Sequence, residues 1–157
     1  MPENFKNYFV LVFDKPFTFT AAVTNGNIRP GELESKDKHA GGIIGFSTRR
    51  GETVNVRVAS SFISPEQAEQ NLKELGKDNL EAVAAKGRQE WNKVLGRIEV
   101  EDDNTDHLRT FYSCLYRSVL FPRSFYELDA KGKPVHYSPY NGKVLPGYMF
   151  TLSLIHI

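Results

Sequence analysis

The apolar pattern of this chain changes its period once, at Ser64, and that change limits the folds that the chain can adopt. Ahead of Ser64, Val54, Val56 and Val58 alternate with polar residues, as in a strand with one buried face. Beyond it, apolar residues recur at steps of three and four, as in amphipathic helices. The sequence therefore predicts an α+β protein whose strands end near Ile63.

The part before Ser64 predicts an antiparallel sheet. The predicted strands are Tyr8–Phe13, Phe17–Ala21, Gly42–Ser47 and Thr53–Ala59. Turn residues separate them, with Gly51 in a tight turn before the last strand. The stretch Asn25–Gly41 lacks an apolar pattern, so we expect a polar loop there. Four strands joined by turns predict part of a β-sandwich.

Three helices are predicted after the sheet. Ser64 can cap the first, Pro65 suits its first position, and Gln67 can reach back to complete a capping box. The second spans about 78–95. The third begins near 103–105 and ends before Pro122. Cys114 falls in its apolar pattern, so we expect a buried thiol there.

Composition excludes several classes of protein. The net charge is +1, so nothing predicts a nucleic-acid partner. No stretch approaches the roughly 18 apolar residues of a membrane span, so none is expected. The N-terminus lacks the basic and apolar regions of a signal peptide. A single cysteine excludes an internal disulfide.

No catalytic or metal-binding group can be assigned from the motifs. The densest carboxylates are Glu101, Asp102, Asp103 and Asp106, which precede the third helix. Acids at a helix N-terminus interact favourably with its dipole, so capping explains them better than calcium. No two histidines have the spacing of zinc ligands, and His136 is expected to hydrogen-bond a loop.

An irregular loop rich in aromatic residues follows Arg123. Its rings are Tyr137, Tyr140, Tyr148 and Phe150, set among prolines and glycines. Such a loop often lines a ligand site when a rigid scaffold holds it. It can equally connect domains, with its rings packed against a neighbour.

Five segments together resemble glycoside hydrolase family 92, the calcium-dependent exo-α-mannosidases. In chain order they are Val56–Ser64, the helix with Ala68 and Asn71-Leu72, Trp91–Val100, Thr110–Arg123 and Gly147–Thr151. The resemblance implies an N-terminal β-sandwich, linking helices and an (α/α)₆ barrel, with the active site between the two domains. It also implies inverting release of terminal mannose from glycans, with calcium as cofactor and a periplasmic or secreted location.

On this resemblance the chain is expected to be an internal fragment. Residues 1–63 would end the sandwich, 64–103 would be the helical linker, and 104–151 would begin a catalytic (α/α)₆ barrel that is mostly missing. Residues 152–157 would be an atypical, non-native tail. The catalytic acids and calcium ligands have no counterpart here, so the fragment itself would be inactive.

The resemblance leaves few candidates for a site. Tyr140, Tyr148 and Phe150 are candidates for lining the approach to the substrate, and no catalytic or metal-binding residue is assigned. The alternative function is a non-catalytic carbohydrate-binding β-sandwich module.

Overall fold

A computed structural model describes residues 2–151 and confirms the predicted α+β class. The predicted atypical tail, 152–157, lies outside the described residues. Two compact units share the chain: one covers Leu11–Val58, and the other holds the described residues on either side of it. No helix of the described part is long and apolar enough to cross a bilayer.

Ten strands and three α-helices make up the described chain. The strands are β1 Tyr8–Phe13, β2 Phe19–Thr24, β3 Asn27–Pro30, β4 Ala40–Gly45, β5 Val56–Ser61, β6 Arg123–Ser124, β7 Glu127–Leu128, β8 Pro134–Tyr137, β9 Val144–Pro146 and β10 Phe150–Thr151. The helices are α1 Pro65–Leu72, α2 Leu80–Leu95 and α3 Thr105–Ser118, with a 3₁₀ turn at Lys73–Leu75. Strand β1 pairs with β5.

The unit Leu11–Val58 contains an antiparallel sheet in the order β3-β2-β4. Strand β2 lies in the centre, and its Ala21 and Ala22 are the buried residues of this sheet. In the register of β2 with β4, Ala22 lies opposite Gly42 and Ala21 lies opposite Ile43.

The predicted loop 25–41 is wrong in part, because it contains β3. Asn25 and Gly26 both have positive φ, 49° and 79°, and they join β2 to β3 in a tight hairpin. This Asn-Gly pair is the favoured sequence for such a turn. Strand β3 escaped the pattern analysis because it is exposed along its whole length and ends in Pro30, as edge strands often do.

Helix α1 begins where the sequence predicts. Ser64 caps it by accepting the Gln67 backbone N–H at 3.1 Å, with Pro65 in the first turn. The second half of the predicted capping box is wrong. The Gln67 side chain instead donates to the Leu128 carbonyl at 2.7 Å, and the Ser64 N–H donates to the hydroxyl of Ser61 at 3.4 Å.

Helices α2 and α3 are capped by asparagines. Asn79 accepts the Ala82 N–H and Asn104 accepts the Asp106 N–H, each at 2.9 Å. The two helices meet through Trp91 and Tyr116, whose ring centroids are 4.6 Å apart. The prediction for Cys114 is wrong, because it lies on the exposed side of α3.

The aromatic segment after Arg123 is more regular than predicted. It forms an antiparallel meander, β7-β8-β9, and an antiparallel pair of β6 with β10. These strands are two to four residues long, too short to show a period in the sequence.

Candidate functional site

Three consecutive residues, Phe125 to Glu127, direct side chains to two sides of the chain. Phe125 stacks on Phe62 with centroids 4.9 Å apart, and Glu127 accepts the Phe62 backbone N–H at 2.9 Å. Tyr126 lies between them in sequence and contacts Tyr148 and Phe150 instead. We call the side on which Phe125 and Glu127 make these contacts the inner side. These contacts hold Tyr126 in place.

Glu127 links three parts of the chain through hydrogen bonds. One carboxylate oxygen accepts the Phe62 N–H, and the other accepts the Asn71 amide at 2.7 Å. The same amide also donates to the Ser60 carbonyl at 2.9 Å. A half-buried carboxylate with both oxygens bonded holds the end of β5, helix α1 and strand β7 together.

An aromatic cluster completes the inner side. Phe5 packs on Phe62 and on Tyr137, with ring centroids 5.5 and 5.6 Å apart. Tyr137 is buried and donates its hydroxyl to the Asn4 side chain at 2.9 Å, and Asn4 donates to the Gly142 carbonyl at 2.8 Å. The predicted loop ring Tyr137 therefore belongs to the core.

The segment Gly147–Thr151 is held by its backbone. The Gly147 N–H donates to the Pro134 carbonyl at 2.8 Å, and Met149 accepts the Phe125 N–H at 2.8 Å. Nδ1 of His136 donates to the Gly147 carbonyl at 3.0 Å, since a carbonyl can only accept. This confirms the loop hydrogen bond expected of His136.

Two of the three predicted site residues come together. Tyr148 and Phe150 both contact the ring of Tyr126, at centroid distances of 4.8 and 5.8 Å and interplanar angles of 85° and 72°. They remain 66% and 52% exposed, while Tyr126 is half-buried. We call Tyr126, Tyr148 and Phe150 the aromatic platform.

The third predicted residue stands apart from the platform. Tyr140 is 89% exposed, and no ring of residues 2–151 packs against it. Its backbone N–H donates to the Ser138 hydroxyl in the turn that precedes β9. The sequence did not point to Tyr126. It lies between β6 and β7, which have two residues each and are too short to show an alternation of inward-facing and outward-facing side chains.

The described carboxylates do not fit a calcium site. Asp102 accepts the Asn104 N–H at 2.7 Å and lies 3.0 Å from His107 Nδ1, while Asp106 pairs with Arg109 at 3.0 Å. Among residues 2–151, no three His, Cys, Asp or Glu side chains cluster as metal ligands would. The cap of α3 is Asn104 and not an acid, while Asp106 lies in the first turn, where the helix dipole favours an acid as expected.

Two carboxylates with a lowered pKa, Glu66 and Asp129, lie in the same unit as the platform. The backbone N–H of Lys133 lowers the pKa of Asp129 below its ordinary value, and the N–H of Lys131 adds to this. Both bonds are 2.8 Å long and close the turn between β7 and β8. The lowered pKa of Asp129 follows from its hydrogen bonds in this turn and indicates no acid-base chemistry.

Comparison with known proteins identifies the family. The model of the glycosyl hydrolase family 92 catalytic domain matches residues 67–154, more than half of the chain. The model of the family's N-terminal domain matches residues 1–61. The chain belongs to glycosyl hydrolase family 92. No curated protein matches it.

Solved family 92 structures share this fold. An inverting mannosidase from Bacteroides thetaiotaomicron is 42% identical over 96% of this chain, with a TM-score of 0.90. An α-mannosidase from the same organism, solved in complex with mannoimidazole, is 26% identical over 92% of this chain, with a TM-score of 0.71. A third family 92 glycosyl hydrolase is 22% identical with a TM-score of 0.81, which supports the fold alone.

The match covers only a small part of those proteins. This chain spans 20% of the length of each of these three structures. The family 92 assignment therefore holds for the fold and descent of the chain.

Proposed function

We propose that this chain is part of an exported, calcium-dependent α-mannosidase that removes terminal mannose from glycans with inversion. The observation that supports it is the 42% identity to a structure described as an inverting family 92 mannosidase. On this proposal, residues 1–63 end the β-sandwich, 64–103 link the domains, and 104–151 begin the catalytic domain. The longer protein would act in the periplasm or be secreted.

The proposal places the hydrolytic chemistry outside the described residues. Inversion requires a general acid and a general base with carboxyl groups about 6.5–9.5 Å apart, so that water enters between them. No such pair is assigned in this chain, and the described carboxylates form no metal cluster. The catalytic acids and calcium ligands would lie elsewhere in the longer protein, so the isolated chain would be inactive.

A chimera tests this function. The part of the B. thetaiotaomicron inverting mannosidase that aligns with this chain would be replaced by residues 2–151. We expect calcium-dependent hydrolysis of an aryl α-mannoside by the chimera and none by the chain alone. Turnover by the purified chain, or a folded chimera without activity, would contradict the proposal.

A second candidate is a non-catalytic carbohydrate-binding module. The antiparallel sheets and the exposed rings of Tyr148 and Phe150 favour it. The chimera discriminates between the two, because a module with no part in a catalytic scaffold would not restore hydrolysis.

A further inference from the structure

We infer that Asn25 is a site of spontaneous deamidation, in which its side-chain amide becomes a carboxylate through a cyclic imide. The sequence holds two Asn-Gly pairs, Asn25-Gly26 and Asn141-Gly142. Glycine lacks a side chain, so its backbone nitrogen can reach the amide of the preceding asparagine without a clash. The reaction is independent of the proposed function, because both reacting groups belong to the chain and water is the only co-reactant.

The reaction has two steps and transfers no electrons. The Gly26 nitrogen attacks Cγ of Asn25 and forms a C–N bond, while the side-chain nitrogen leaves as ammonia with the proton of the Gly26 N–H. Water then adds to one of the two carbonyls of the five-membered imide and breaks its C–N bond. The product is an aspartate whose main chain runs either through the normal peptide link or through the side chain.

The first pair is not held at either reacting group. Asn25 and Gly26 are exposed at the tip of the β2–β3 hairpin. The Asn25 N–H donates to the His39 carbonyl at 3.0 Å, but neither the Asn25 amide nor the Gly26 N–H has a partner among residues 2–151. Strand β3 is exposed along its whole length, so the end of the hairpin can open locally and let the two groups meet.

The second pair is held at both reacting groups. The Gly142 N–H donates to the Ser138 carbonyl at 2.9 Å, and the Asn141 side-chain oxygen accepts the Lys143 N–H at 3.0 Å. Attack within this pair requires these bonds to break first, which adds their free energy to the barrier. Both asparagines are exposed, so hydrogen bonding and not exposure distinguishes the two pairs.

Deamidation at Asn25 changes both the charge and the main chain of the turn. A carboxylate there lowers the net charge of +1 by one unit. The side-chain-linked product also adds one carbon to the main chain of a two-residue loop. Because loop length sets the register of a hairpin, Thr24 and Asn27 then lose their pairing.

Incubation of the purified chain at mildly alkaline pH tests this, because the attacking nitrogen must lose its proton. Mass spectrometry of digested samples follows the mass increase at each pair, with Asn141 as the internal control. In buffer we expect Asn25 to convert at least about tenfold faster than Asn141. In concentrated urea the two rates should agree within about threefold, because both pairs are then free of native hydrogen bonds.

Hydrogen exchange tests the cause of this difference in the same sample. The Gly142 N–H should exchange slowly and the Gly26 N–H fast. Asn25→Gly is the control variant, since glycine tolerates the positive φ of this position, 49°, and has no amide to lose. It should show no mass increase at the hairpin and unchanged conversion at Asn141. No conversion at Asn25, equal rates at the two asparagines in buffer, or equal protection of the two glycine N–H groups would each overturn the inference.

Discussion

At the scale of single residues, Glu127 carries more of the fold than its sequence context suggests. Its two oxygens accept hydrogen bonds from Phe62 and Asn71, which lie 65 and 56 residues away in the chain. Nothing local marks such a carboxylate, because the partners meet only after the chain has folded. This explains why the sequence pattern located α1 but not its anchor.

We predict that Glu127→Ala destabilises the chain by about 1–3 kcal/mol, because two partly buried donors lose a charged acceptor. Urea denaturation measures this as a lower midpoint at unchanged slope. Glu69→Ala, on the exposed side of α1, is the control and should change the free energy of unfolding by less than about 0.5 kcal/mol. Equal effects of the two substitutions would contradict the role of Glu127.

The lowered pKa of Asp14 predicts that stability depends on pH. The Asn55 side-chain amide, at 2.6 Å, and the Asn55 N–H, at 2.9 Å, lower the pKa of Asp14 below its ordinary 3.8. A lowered folded-state pKa contributes stability that is present above the unfolded value and is lost as the pH falls through the folded value. Acid should therefore weaken this contact below about pH 4.

Asn55→Ala should raise the Asp14 pKa toward 3.8, because it removes the side-chain donor that lowers this pKa most and leaves only weaker causes, the first of them the Asn55 N–H. Carboxyl NMR titration gives the midpoint. Asp129 serves as an internal control, since separate backbone donors lower its pKa. A midpoint for Asp14 that does not move would show that the side-chain bond is absent in solution.

At the scale of elements, the sequence predicted where helices begin and where tight turns lie, because residues close together in the chain determine both. It did not predict which strands pair or which distant residue anchors a helix. Ser64 and Gly51 act through neighbours within three residues, so their roles follow from the sequence. Strand β3 and the platform residue Tyr126 depend on distant partners. Exposed edge strands and two-residue strands carry no period to read.

Alanine substitutions at two glycines test the turn and helix assignments, because the two variants should change stability in opposite directions. A Cβ at either Gly26 or Gly87 would meet nothing within 4 Å, so only backbone conformation differs between them. Gly26→Ala should destabilise by about 1–2 kcal/mol because its φ is +79°. Gly87→Ala, inside α2, should stabilise by about 1 kcal/mol. Shifts of the same sign in thermal unfolding would contradict one of the two assignments.

At the scale of the whole molecule, the described chain leaves much apolar surface exposed. Phe9, Leu11, Val56 and Val58 on β1 and β5 are all more than 40% exposed, and α3 has no buried residue. Exposed apolar patches of this kind mark interaction surfaces or aggregation. The isolated chain should bind a hydrophobic dye strongly, and the chimera should bind it less. Equal dye fluorescence per chain would contradict this.

The family resemblance predicted the fold class, whereas the candidate site needed the structure. Ordered segments from Val56 to Thr151 led to family 92, and both family models match. The structure distinguishes the ring candidates. Tyr148 and Phe150 contact Tyr126, which is distant from them in sequence, whereas Tyr140 is exposed and lies outside this cluster.

We propose above that this chain serves as part of an inverting mannosidase. Proton NMR of the first mannose released from an α-mannoside by the chimera tests it most directly. We predict calcium-dependent release of β-mannose, the inverted anomer, at a rate within about tenfold of the B. thetaiotaomicron enzyme. A folded chimera that releases no mannose, or that first releases the α anomer, would contradict the account.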